Sequence, residues 1–181
     1  MDDAISNRFD YFTDDFLRES IPRTVVIVAA SKIDDLLACI LSTYFLPKAS
    51  KVNDNDELLE GDKPLATFSA RIKMIYRLGI VDKSFYLILE KIRSIRNLSA
   101  HELNFDIAIS PLKELLFNLM QEIKNRNSYK LTKERYFGNH ELNGIDELKS
   151  TLLAICILLE AINVKVERTS ISQSLVDISL K

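Results

Sequence analysis

Residues 23–46 are apolar nearly all the way round a helix, and no other feature limits the fold of this 181-residue chain so strongly. Ile27, Ala30, Ile33, Leu37, Ile40, Leu41 and Tyr44 repeat at helical spacing. The run from Val25 to Val28 alone reads as a strand, and the turns of Ala, Leu and Ile that follow decide for helix. A helix with so little polar face has to be covered on several sides, which predicts a central place in a bundle. Residues 145–162 add a second strong helix, with Leu148, Leu152, Ile155, Cys156, Leu159 and Ile162 on one broad face. Only four glycines and four prolines interrupt a chain that is 47% hydrophobic, so long helices are expected rather than loops. Charge breaks the longest apolar stretches within a few residues, so no membrane span is predicted.

The other segments complete an all-α fold, a single helical bundle of six or seven helices over residues 1–181. Residues 9–20 read as a short helix with Phe12, Phe16 and Leu17 as apolar contacts. Pro22 suits the opening of the next helix, with Ser20 or Ile21 ahead of it, and of these only the serine can cap. After Pro47, residues 48–64 form a polar loop with a helical turn near Leu58 and Leu59. A third helix covers residues 65–78 and ends at Gly79, and Asp82 caps a fourth that reaches Ala100. Ser110 as cap and Pro111 as first helical residue predict a fifth, carrying Leu112, Leu116, Leu119 and Ile123. Residues 125–139 read as a polar linker, and residues 164–176 as a short strand or a packed tail.

Charge and cysteine usage narrow the functions. With 24 basic and 26 acidic side chains there is no broad basic footprint for nucleic acid. A local cluster, Lys124, Arg126, Lys130, Lys133 and Arg135, reads as a solvated linker or as a contact for RNA or an acidic partner. No glycine-rich loop is present to cradle a phosphate. Cys39 and Cys156 lie inside apolar helical patterns, which predicts buried thiols rather than a disulfide. No cysteine cluster suggests zinc, and neither a metal nor a cofactor is expected. The first twenty residues are acidic and lack the apolar core of a signal peptide, so the expected location is the cytoplasm.

The fourth helix ends in the most chemically suggestive segment, with Arg96, Asn97 and His101 close together in a chain of two histidines. The other histidine, His140, reads as an ordinary exposed side chain. Asn97 and His101 share a helical face, being four apart, whereas Arg96 and His101 stand about 140° apart round the axis. The latter two converge only at a helix end or in a cleft. Their chemistry suits metal-independent RNA cleavage: histidine moves protons near neutrality and arginine stabilises the phosphoryl oxygens. The alternative is structural. His101 can meet the orphan carbonyls of its own helix end, and Arg96 can pair with Asp34 or Asp35, two acids that interrupt the apolar helix.

Gly61, Asp62, Lys63, Pro64, Leu65, Ala66, Thr67, Phe68, Ser69, Ala70, Arg71, Ile72 and Lys73, continuing through Tyr76, Arg77, Leu78, Gly79 and Ile80, resemble the hallmark of the mannitol operon repressor family. The helix from Arg23, with Ile33, Asp34, Leu36, Leu37 and Phe45, fits the same family. The resemblance covers residues 12–125 and fades over residues 126–181. It implies a helical protein without a DNA-reading element, whose role in transcription runs through a protein partner, with Ser69 and Arg71 as motif residues for that partner. From the residues alone, Arg71 reads first as a paired arginine that pins the preceding loop, and second as a contact for a regulatory partner. Arg96, Asn97 and His101 also resemble the signature of the HEPN helical superfamily, which implies a composite RNase site between paired protomers, or an inactive descendant of one.

Three functions follow. The first is a non-enzymatic regulatory or interaction protein of the mannitol repressor-like kind, with direct DNA binding not expected. The second is a HEPN-like RNase acting as a dimer through Arg96, Asn97 and His101. The third is an immunity or antitoxin protein whose acidic loop, Asp54, Asp56, Glu57 and Glu60, covers a basic nuclease toxin. A homodimer is expected if residues 23–46 or 145–162 keep an exposed apolar stripe.

Overall fold

The computed structural model describes residues 3–47, 56–138, 141–142 and 144–170. Among these residues seven helices make an all-α bundle: α1 (Asp3–Arg18), α2 (Pro22–Tyr44), α3 (Phe68–Arg77), α4 (Lys83–His101), α5 (Leu112–Lys124), α6 (Asn127–Phe137) and α7 (Gly144–Lys165). No strand occurs among the described residues, and no described helix is long and apolar enough to cross a membrane. α2 packs along α7, α4 and α3, α7 also carries α1, α5 and α6, and α4 joins α3 to α5.

Local chemistry sets most boundaries. Pro22 sits in the first turn of α2, and the residue ahead, Ile21, makes no side-chain cap. The Glu19 carboxylate accepts from the amides of Ser20 and Ile21 instead, both at 2.8 Å. Thr67 caps α3 by accepting from the Ala70 amide at 3.2 Å. At its other end Gly79 adopts φ +72°, its amide reaching the Tyr76 carbonyl and the Ile80 amide the Ile75 carbonyl, the paired closure a left-handed residue allows. Asp82 caps α4 through the Phe85 amide at 2.7 Å, and that bond holds the carboxyl below its ordinary range. Ser110 does not cap α5. Pro111 takes that position, and the serine hydroxyl donates to Glu114 at 2.7 Å.

The core differs from the sequence expectation in which helix is most enclosed. Every residue of α7 from position 148 to 156 is buried, including Lys149, Ser150 and Thr151. α2 buries nine residues but leaves Ile27 40% and Val28 37% exposed, so Ile27 belongs to its outer face. Cys39 lies on that exposed side and is not a core thiol, whereas Cys156 is buried in α7, its pKa pushed up to about 12 by desolvation. Lys149 earns its buried place by donating to the Leu17 carbonyl at 2.8 Å, which ties the end of α1 to α7.

Residues 127–137 are a helix, not the expected linker. α6 has almost no apolar periodicity, and it forms because Tyr129 and the hydroxyl-bearing Ser128 and Thr132 pack against α7. Beyond α7, residues 166–170 run as an irregular tail, with the Thr169 amide donating to the Tyr44 carbonyl at 2.7 Å. Of the strand-or-tail expectation, the positions beyond Ser170 lie outside the described residues, as does His140.

Leu37 is fully buried, and Leu37→Ala is expected to cost about 2–5 kcal/mol in urea unfolding. Ile27→Ala, on the open side of the same helix, is expected to cost less than about 1 kcal/mol.

Candidate functional site

Arg71 organises the region around α3. Its Nε donates to the Leu65 carbonyl at 2.9 Å and its Nη2 to the Leu59 carbonyl at 2.8 Å. Its Nη1 donates to Asp34 Oδ1 at 2.8 Å and more loosely to the Asp34 carbonyl at 3.4 Å. One planar guanidinium thus fastens both ends of the 59–65 segment and joins them to α2, a geometry that its fork of donors suits. Burial raises the Asp34 carboxyl above its ordinary pKa, against the bond and charge of Arg71 that lower it. Ser69 lies half-buried in the first turn of α3.

The acidic segment is built on this staple. Asp56 Oδ1 accepts from the Leu58 and Leu59 amides at 2.8 and 3.0 Å, closing a turn, and Leu59 is buried. Glu57, Glu60 and Asp62 face solvent, as does Leu58. Asp54 lies outside the described residues.

At the far end of α4 the helix continues unbroken through His101, so no helix end falls between Arg96 and His101. They stay about 140° apart round the axis, and one copy of the chain does not bring both onto one face. Arg96 is exposed, and its Nη1 reaches Asn97 Oδ1 at 3.4 Å. Asn97 is half-buried and His101 exposed. The expected pairing of Arg96 with Asp34 or Asp35 does not form. Asp34 bonds Arg71, and Arg96 acts on it only through space, while Asp35 is exposed. The carbonyls beyond α4, those of Glu102 and Leu103, are met by Arg23 at 2.7 and 2.9 Å, not by His101.

Arg23 is the residue that the sequence reading missed. It also lies over the Phe105 ring at 5.5 Å and so clamps the chain leaving α4. A cation in the first turn of a helix opposes the dipole, and that misplacement signals a long-range partner. Glu90 and Arg93 form a second overlooked pair on α4, at 2.8 Å, with Glu90 Oε1 buried and without a hydrogen-bond partner. A groove of about 660 Å³ lies between α5 and the start of α7, with Leu116, Phe117, Met120 and Leu148 in its wall, and none of the sequence-predicted site residues lines it. No three His, Cys, Asp or Glu side chains converge into a metal-binding group among the described residues.

Arg71→Ala is expected to cost about 2–4 kcal/mol and to open residues 57–66 to limited proteolysis, since three carbonyls and a carboxylate lose one shared donor. The sign of the Asp34 effect also follows. Its raised pKa means that the folded chain holds this proton more tightly than the unfolded chain. Its contribution to stability therefore grows as pH falls from neutral through the raised value, and is complete below the ordinary carboxylate value. Urea titrations at neutral and acid pH are expected to show wild type gaining on Asp34→Asn as the pH drops.

No protein-family model matches the chain, and no curated protein sequence matches it. Among solved structures, a chain of the X-ray structure of the MtlR–HPr complex from Escherichia coli shares the fold. The superposition covers 84% of this chain and 99% of that one, with a TM-score of 0.54 and 17% sequence identity.

Proposed function

We propose that this chain is a non-enzymatic regulatory protein of the mannitol repressor-like kind, and that it works by binding a protein partner rather than by reading DNA. The observation that carries this reading is the Arg71 staple. The stretch that resembles the mannitol operon repressor hallmark is, in three dimensions, one device: a capped helix whose arginine holds the preceding loop against α2. Arg71 is spent on that task, so its contribution to recognition is indirect. It presents Glu57, Glu60 and Ser69 on a fixed scaffold, which lowers the ordering cost of binding. The fold shared with a chain from a complex of MtlR with HPr adds support for a protein partner.

A second reading, a HEPN-like RNase, is favoured by the exposure of Arg96 and His101, neither of which is taken up by the core. Because a single copy keeps them on different faces, that activity requires a second copy to complete the site.

Calorimetric titration with purified HPr tests the first reading. Binding is expected, about tenfold weaker for the Glu57→Lys/Glu60→Lys variant. Absence of binding together with sequence-specific operator binding by the pure chain would overturn it. RNA incubated with concentrated protein without metal is expected to stay intact. Cleavage that disappears in His101→Ala and Arg96→Ala, with folding retained, would replace the first reading by the second.

A further inference from the structure

Two surfaces of this chain are complementary in charge and lie on different flanks of the bundle. α6 exposes Lys130, Leu131, Glu134 and Arg135, with Leu131 61% exposed. α6 itself carries three cations, Lys130, Lys133 and Arg135, against one acid, Glu134, in a protein whose net charge is -2, while Lys124 ahead of it is taken by Glu147 at 3.0 Å. The turn stapled by Arg71 has the opposite character: Glu57, Glu60 and Asp62 surround Leu58, which is 39% exposed. Each surface therefore has an exposed leucine in a rim dominated by one sign, with Glu134 standing among the cations of α6 and Lys63 beside Asp62 in the turn.

The fold keeps them apart. Among the described helices α6 packs on α7 and α5, α7 packs on α2, and the stapled turn lies beyond α2, beside α3. Packed helices are spaced about 8–10 Å axis to axis, so at least two helix layers separate the faces. No copy can satisfy its own charges in this way.

We infer that α6 of one copy docks on the 57–62 turn of a second copy, Leu131 meeting Leu58 while Lys130 and Arg135 meet Glu57 and Glu60. The contact is heterologous, so it leaves a free face at each end and continues past a dimer unless the rotation closes a ring. Its small apolar centre makes it weak and transient, with the charges setting orientation and rate. Among macromolecules, a protein surface fits α6 better than RNA. Single-stranded RNA is gripped by exposed aromatic platforms, whereas Tyr129 is buried and Tyr136 and Phe137 are half-buried, and α6 offers a leucine instead. The inference does not rest on the partner proposed above. The two share the acidic turn, so a bound partner excludes a second copy there.

Sedimentation velocity of the full chain alone tests the inference, over concentrations up to about 1 mM, the range in which weak contacts become populated. Mass is expected to rise with concentration at low salt, and association to weaken at least about tenfold at high salt. Lys130→Glu/Arg135→Glu and Glu57→Lys/Glu60→Lys are each expected to stay monomeric with unchanged circular dichroism. An equimolar mixture of the two is expected to associate again, because the reversed faces match. A wild type that stays monomeric throughout, or self-association that persists in either variant, overturns the inference. So does a monomer whose α6 face retains a short RNA that Lys130→Glu/Arg135→Glu releases.

Discussion

Two apolar helices lying side by side, α2 and α7, are the constraint from which the rest of the structure follows. Neither can be left open to water, and each needs a different cover. α7 is buried on every side through the turns from 148 to 156, which requires α1, α2, α5 and α6 around it. α2 needs α3 and α4 on the flank that α7 leaves free. Burial on this scale is worth about 25 cal/mol per Å² of apolar surface and outweighs the weak propensities of the covering helices. α6 shows the effect most plainly. Its own sequence barely specifies a helix, yet it forms along α7 with Ser128, Tyr129 and Thr132 buried.

That imbalance explains what was legible in the sequence. Helices α2, α3, α4, α5 and α7 declare themselves through period, caps and the stop at Gly79, because those signals are local. α6 reads as a linker because its reason for being helical lies on α7, more than ten residues away. The exposed positions of Ile27 and Cys39 are equally hidden. Periodicity says that a helix has an apolar stripe, but which edge of a wide stripe stays open depends on where the neighbours stop. The cap of α5 shows the same limit on a smaller scale: Ser110 has the right chemistry, and Glu114 competes for its hydroxyl.

At the candidate site the residue types were legible and the pairings were not. Arg71, Arg96, Arg23, Asp34 and Asp35 offer several plausible ion pairs on paper. The structure gives Asp34 to Arg71, leaves Arg96 and Asp35 at the surface, and sends Arg23 to backbone carbonyls near residue 102. The deciding quantity is reach. Arg71 lies where loop carbonyls and an α2 carboxylate converge on one plane, and a guanidinium satisfies all of them at once. The glycine, proline and arginine of the 61–73 stretch thereby acquire a physical meaning: they shape a short loop and lock it.

The Lys149 bond to Leu17 joins residues 132 positions apart and carries a further consequence for how the chain comes into being. α2 ends at Tyr44 and α7 begins at Gly144, so the apolar flank that α7 will cover emerges from the ribosome well before its cover exists. At synthesis rates of 5–20 residues per second that interval lasts roughly 5–20 s. During it α3 and α4 can already meet one flank of α2, while the flank that α7 will cover has no native partner. The order of the helices along the chain thus leaves one flank of α2 exposed during synthesis, the kind of transient apolar surface on which chaperones act.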